Sequence, residues 1–215
     1  MKGYIYLLLA CSYTSCAYSE SCLSDKYHEA ITEYLSIMNE SYSNVKNIAD
    51  CQTNSSLNNL VCPNGKLKNE MYLLSIGEIY TYENATHTPV ADYSTYNNDF
   101  KDWLNNLVKA EKSKDAALRK LCYVIRNRLS DDFGGDFSYT PDVYEVISSK
   151  SNSNGVVVDS LSSRFYLGKS CDASNSIKEK GHWYKDKDQF VVELGDSKYR
   201  FNYDEKVFSL HCEMP

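Results

Sequence analysis

Apolar side chains recur at Tyr27, Ala30, Ile31, Tyr34, Leu35 and Met38, the i, i+3, i+4, i+7 spacing of one buried helix face, and Ser24 stands where an N-cap belongs. A polar stretch with Asn54, Asn58, Asn59 and the turn Pro63-Asn64-Gly65 follows. Cys51 and Cys62 bracket it, so it reads as a stapled loop. From Lys66 to Tyr82, the positions of Leu67, Met71, Leu74 and Glu78 suit a helix, while Ile79, Tyr80 and Tyr82 around Gly77 also fit extended chain; a helix is the reading adopted. Asn98 and Asp99 then precede Phe100, Trp103, Leu104, Leu107 and Val108, one continuous apolar stripe. Ser113 and Asp115 start another helix, with Leu118, Leu121, Cys122, Ile125 and Leu129 sharing its inner face. The short link Glu111-Lys112-Ser113 makes these two an antiparallel helical hairpin.

The helical pattern stops at Asp131-Asp132-Phe133-Gly134-Gly135-Asp136, and Pro141 lies just beyond, so residues 131–142 read as a linker. From Val143 the period becomes two. Strands are expected over Val143–Ile147, Gly155–Asp159, Arg164–Leu167, His182–Tyr184, Gln189–Leu194, Lys198–Tyr203 and Val207–Cys212, with Ser148 to Asn154 as a polar loop or tip. The clearest hairpin sets Phe190, Val192 and Leu194 before the turn Gly195-Asp196-Ser197, and Tyr199, Phe201 and Tyr203 after it. The fold class expected is α+β: an N-terminal helical bundle over residues 20–130, then an antiparallel sheet or half-barrel over 143–215, reinforced by disulfides.

Compartment comes from the start of the chain. Lys2, the apolar run Tyr4 to Ala10 and the small residues leading to Ala17-Tyr18-Ser19 read as a signal peptide over 1–19, cleaved before Glu20. Two rivals are a lipid anchor at Cys11 in Leu8-Leu9-Ala10-Cys11 and a buried N-terminal element of a cytosolic protein. Cysteine parity favours cleavage, because losing Cys11 and Cys16 leaves six: Cys22, Cys51, Cys62, Cys122, Cys171 and Cys212. Cys51 with Cys62 ranks first on proximity and Cys171 with Cys212 second, both lying in one strand-rich region. Cys22 with Cys122 follows by elimination. That last bridge closes the longest loop, about 4.7 kcal/mol in the chain-entropy model against about 3 kcal/mol for a short loop. Beyond the leader no segment approaches the apolar run that a membrane span requires, so no transmembrane segment is expected.

Of 215 residues, Lys plus Arg number 23 and Asp plus Glu 29, a net charge of -6 that becomes -7 without Lys2. Such a balance does not suit nucleic acid. The histidines are His28, His87, His182 and His211. His28 beside its apolar helix face reads as solvated, His87 near Asp92 as a loop residue, and His182 with His211 lacks a third metal ligand. No metal or cofactor is expected, and the glycine-bent acidic segment reads as a helix stop with a turn rather than a calcium loop. Sequons at Asn39, Asn54 and Asn84 are no more than this asparagine-rich composition supplies by chance.

Tyrosine is the composition's oddest entry, at 19, and Tyr72, Tyr80, Tyr82, Tyr93 and Tyr96 crowd one region. Rigid area with a polar tip suits recognition surfaces, although core packing and AT-rich coding also enrich tyrosine. The binding residues expected are Tyr80, Tyr82, Tyr93 and Tyr96 together with Asp131, Asp132 and Asp136. The leading expectation is a secreted or periplasmic non-enzymatic binding protein, with inhibitor, immunity and modulator roles among its forms, acting on another, basic protein. The alternatives are a secreted hydrolase using His87 or His182 with a carboxylate, and a structural envelope component.

Overall fold

A computed structural model describes residues 21–161 and 163–212. The expected leader over 1–19, with Cys11 and Cys16, lies outside the described residues. Five helices come first: α1 (Lys26–Tyr42), α2 (Ser56–Val61), α3 (Gly65–Thr86), α4 (Asn98–Lys109) and α5 (Lys114–Phe133). Local chemistry sets their starts. The Ser55 hydroxyl accepts from Asn58 N at 3.1 Å, Asn64 Oδ1 from Lys66 N and Leu67 N at 3.1 and 3.2 Å, and the Ser113 hydroxyl from Ala116 N at 3.1 Å. At α1 the expected Ser24 cap gives way to Asp25, whose helical backbone (φ -54°, ψ -32°) lacks the extended geometry of a side-chain cap and whose carboxylate pairs with Lys66 at 2.7 Å.

Helix α3 is the centre of the bundle, packed by α1 on one side and α5 on another. Its buried residues run Leu67, Met71, Leu73, Leu74, Ile76 and Ile79, which is more than one stripe, as expected of a helix enclosed by others. Leu57 and Val61 of α2, Leu104 of α4, and Leu121, Val124, Ile125 and Leu129 of α5 complete the core. Helix α2 corrects the stapled-loop reading, since six residues between the cysteines coil under the Ser55 cap and bury Leu57 and Val61. The linker reading over 131–142 also shortens, because α5 continues to Phe133 and a 3₁₀ turn, Gly135–Phe137, tucks Phe137 against Tyr34 at 5.3 Å between ring centroids.

The second half is a seven-stranded antiparallel meander, curled into a half-barrel, with strands in sequential order. They are β1 (Ser148–Ser151), β2 (Gly155–Asp159), β3 (Arg164–Gly168), β4 (Asp172–Asn175), β5 (Lys180–Asp186), β6 (Gln189–Leu194) and β7 (Ser197–Asn202). Phe190 faces Phe201 and Val192 faces Tyr199, as the alternation requires, but the turn is the two residues Gly195-Asp196 and Ser197 already pairs with Leu194. Gly195 has φ 55°, the left-handed conformation that a tight two-residue hairpin turn demands. Val156, Val158, Phe165, Leu167, Trp183, Phe190 and Phe201 fill the concave side. The buried indole donates to Gly168 O at 2.8 Å.

Residues 143–147 are not a strand. Tyr144 alone bridges in parallel to Phe201, and Ile147 N then donates to Asp159 O at 2.8 Å as β1 begins, so residues 144–151 touch both ends of the curled sheet. β1 takes the place of the expected polar loop, its side chains largely exposed, which removes the alternation that betrays a strand. β4 was unforeseen for a similar reason, being short and polar. The expected strand Val207–Cys212 is instead a helical turn, α6 (Glu205–Phe208), because Asp204 Oδ1 accepts from Lys206 N and Val207 N, both at 3.0 Å. Three disulfides join Cys22 to Cys122, Cys51 to Cys62 and Cys171 to Cys212, the three pairs expected. Among the described residues no helix is long and apolar enough to cross a membrane.

Candidate functional site: an acidic face rimmed by aromatic rings

The second half of α3 meets the last turns of α5 at Gly77. A Cβ there would stand 2.4 Å from Asp132 Oδ2 and 3.0 Å from the Phe133 ring, so the missing side chain is what lets the α5 carboxylate settle on α3. Thr81, one turn along, donates to Asp132 Oδ1 at 2.7 Å. Oδ2 is buried with no hydrogen-bond partner. Glu78 lies on the same face, and its Oε1, likewise without a hydrogen bond, is 3.5 Å from Arg128 Nε. Arg128 also sits 5.5 Å from the centre of the Phe100 ring.

Aromatic rings border these charges. Tyr80 stacks on Phe133 with centroids 5.9 Å apart, and Tyr82, which is 39% exposed, leans on Tyr96 at 5.3 Å. Burial pushes the pKa of Asp132 up to about 7; the Thr81 hydrogen bond and Arg128 oppose this, while Glu78 and Asp131 add to it. Burial likewise raises Glu78, with Arg128 opposing. The face therefore holds three carboxylates against the Arg128 guanidinium, and burial strengthens the interactions of two of them, Glu78 and Asp132.

Tyr80, Tyr82, Tyr96, Asp131 and Asp132 thus come together on one surface, although the two stretches are about fifty residues apart in sequence. Tyr93 lies elsewhere. Its hydroxyl and that of Tyr42 both donate to Glu83 at 3.0 Å, and its ring packs beside Val45, Ile76 and Ile79, so it ties the 87–97 loop to α3. Burial, then Glu83, raises the Tyr42 hydroxyl to about 12. Asp136 is exposed in the 3₁₀ turn, past Gly134 (φ 55°) and Gly135 (φ 44°). Gly134 N donates to Ser130 O at 2.9 Å, so the glycines end α5 in a turn. Among the described residues no group of three or more His, Cys, Asp or Glu side chains is disposed to hold a metal ion. Glu78, Arg128 and Phe133 were not foreseen as site residues. A glycine inside the apolar pattern of α3 was the available signal of close approach, but it did not name the partner.

His211 is exposed, outside any strand and next to the bridged Cys212. His28 is not solvated: its Nε2 is 2.9 Å from the Ser21 hydroxyl, which donates to the fully buried Glu70 carboxylate. Glu70 also accepts from Cys22 N and Leu23 N at 3.0 and 3.1 Å, and burial raises its pKa against those three bonds. A hydrolytic triad needs its carboxylate behind the imidazole, on the nitrogen remote from the nucleophile. Here acid and imidazole converge on one hydroxyl, an arrangement that fastens residues 21–23 to α3. His182 pairs with Glu193 at 3.0 Å, a carboxylate that also takes Lys198 at 2.8 Å and the Tyr184 hydroxyl at 3.0 Å. His87 is the left-handed C-cap of α3 (φ 52°), and Asp92 turns to its own loop, accepting from the Ser94 and Thr95 hydroxyls at 2.7 and 2.9 Å. Compared with known proteins, the chain matches no family model, no curated protein and no solved structure.

Proposed function

We propose that the chain is a secreted, non-enzymatic binding protein that docks a basic partner protein on the face formed by Glu78, Asp131 and Asp132. The observation that carries this reading is Asp132, whose Oδ2 is buried without a hydrogen bond beside two further carboxylates. Arg128 is shared among these carboxylates, and a lysine or arginine from a partner, approaching at the exposed Asp131, would add a second cation; charge-assisted bonds of that kind are the strong ones. The rim supports the same conclusion, because Tyr80, Tyr82, Tyr96 and Phe100 offer rigid apolar area around the charges. A net charge of -6 favours encounter with cationic proteins over acidic ones.

The test is association of the oxidised full chain, measured by biolayer interferometry, with secreted proteins of matched size and of either high or low isoelectric point. Basic proteins should bind with an on-rate that falls as salt rises. The double variant Tyr82→Ala, Asp131→Asn should lower affinity at least about tenfold, a change of about 1.4 kcal/mol. Equal binding of acidic and basic proteins, or an unchanged affinity for the variant, overturns the proposal.

A further inference from the structure

A separate cleft lies where α5 faces the segment that closes the sheet. It encloses about 410 Å³ and is walled by Leu118 and Tyr123 of α5, by Tyr139 and Val143 ahead of β1, and by one side of the Cys122 bridge. Past Arg119, Glu145 and Asn202 it opens into a second, more polar recess of about 430 Å³. Its size falls within the range of small-molecule sites, about 300–1,000 Å³.

Three polar groups are fixed in this mostly apolar space. Tyr123 is 4% exposed, and its hydroxyl has no hydrogen-bond partner of normal geometry; the Glu145 backbone amide is the polar group that approaches it. Arg126 spends one nitrogen, Nε, on Cys22 O at 2.5 Å, and its guanidinium lies 5.7 Å from the Tyr139 ring centre. Among the described residues no carboxylate comes within ion-pair distance of Arg126, so its terminal nitrogens keep their donor capacity. Glu145, at the opposite end, accepts from the Asn202 amide. Lys120 nearby is already paired with Glu111 at 2.5 Å, Arg119 acts on Glu145, and Asp115 also lines the cleft.

A buried phenol and a guanidinium with free terminal donors beside apolar walls match one kind of ligand. Of the two arginines that line the cleft, Arg119 acts on Glu145, and a phosphate ester, with about two negative charges, would call for more than the remaining Arg126. A planar carboxylate fits a single guanidinium in bidentate fashion. We infer that the cleft between α5 and residues 139–145 binds a small amphipathic carboxylate, its acid group on Arg126 and Tyr123 and its apolar body against Leu118, Tyr139 and Val143.

The probe is 4-phenylbutyrate, with 4-phenylbutyramide as its uncharged counterpart, titrated into the oxidised full chain and followed by amide NMR shifts. The acid should saturate with Kd below about 1 mM, and the amide should bind at least about tenfold more weakly. Shifts should concentrate at residues 118–126 and 139–145. Tyr123→Phe should weaken the acid by about fivefold to tenfold, the loss of one bond to a charged group. Arg126→Lys, which keeps a donor for Cys22 O, should weaken it similarly and leave the amide unaffected. Val143→Trp should fill the cleft and abolish binding, with unchanged dispersion elsewhere showing that the variant is folded. Absence of saturation, equal affinity for acid and amide, shifts centred outside the cleft, or a folded Val143→Trp variant that binds like the parent each overturns the inference.

Discussion

Replacing Asp132 by asparagine removes one ionisable group and little else. The new side chain keeps an oxygen for the Thr81 hydroxyl, now 2.7 Å from Oδ1, and fills nearly the same volume beside Gly77. In the native chain burial holds the Asp132 pKa at about 7 against an ordinary 3.8. Each tenfold change in proton affinity is worth about 1.4 kcal/mol, so this difference corresponds to a ceiling of about 4 kcal/mol, and solvent reaching the partly exposed side chain reduces it to about 2–4 kcal/mol. The sign follows from which state holds the proton. Between pH 4 and pH 7 the folded chain binds a proton that the unfolded chain has released, so this stabilisation is complete below 3.8 and disappears as pH rises through 7. The replacement amide does not titrate. Urea unfolding with disulfides intact should therefore show the Asp132→Asn variant level with the parent near pH 4 and more stable by about 2–4 kcal/mol at pH 8. The same variant should bind a basic partner more weakly at pH 8 and nearly normally at pH 5, where Asp132 of the parent is protonated. A stability difference that stays flat from pH 4 to pH 8 would refute the desolvation on which both expectations rest.

Alanine at Gly77 should gain about 1 kcal/mol of helix propensity on an open surface, yet here its Cβ would meet Asp132 and Phe133, so a net loss of about 1–3 kcal/mol is expected in urea unfolding. That loss should shrink or reverse in an Asp132→Ala background, which a double-mutant cycle measures. Serine at both Cys22 and Cys122 should cost about 4.7 kcal/mol, more than the about 3 kcal/mol expected for the pair Cys51 and Cys62, in guanidinium unfolding; equal costs would contradict the loop-length account. Glu70→Ala leaves Cys22 N without its acceptor, while Leu23 N keeps the Ser21 hydroxyl and that hydroxyl keeps Leu23 O, so a cost of about 1–3 kcal/mol is expected in urea unfolding, and hydrogen exchange should rise more at Cys22 than at Leu23.

What the sequence discloses follows the range of the interaction that decides each element. The stripes of α1, α4 and α5 and the alternation of β6 and β7 are local patterns, and they were legible to within a few residues. The three cysteine pairs were ranked on proximity, on a shared strand-rich region and by elimination, and all three form. Elements too short to show a period, α2, β1, β4 and α6, were lost, since they depend on a cap or on a neighbouring strand more than on their own pattern. At the candidate site, Tyr80, Tyr82, Tyr96, Asp131 and Asp132 were legible only as two unrelated regions. Their union depends on Gly77 receiving Asp132 across the packing of α3 and α5, a long-range fit that no local window contains. Tyr93 departs from the expected binding set because its hydroxyl satisfies Glu83, a partner ten residues earlier in the chain whose carboxylate also takes Val90 N at 2.7 Å.

Two aspartates of the helical half separate a structural carboxylate from one left available. Asp50 receives Lys101 at 2.5 Å, the Asn58 amide at 2.8 Å and the backbone N–H of Gln52 and Thr53 at 3.0 and 3.3 Å, and with Lys101 as the leading cause its pKa lies well below the ordinary carboxylate range. Its stabilisation is present above the ordinary aspartate pKa and fades as pH falls, the opposite sense to Asp132. Asp50 clamps the loop closed by Cys51 and Cys62 onto α4, and the fold provides every donor that this task requires. Asp132 is as dependent on its surroundings but receives one hydroxyl, and a like charge stands on the same face. The fold is thus able to neutralise a carboxylate where the charge serves stability, while at the meeting of α3 and α5 Glu78, Asp131 and Asp132 share the Arg128 guanidinium; that contrast, inside one helical bundle, is the physical ground for proposing a further cation from a partner.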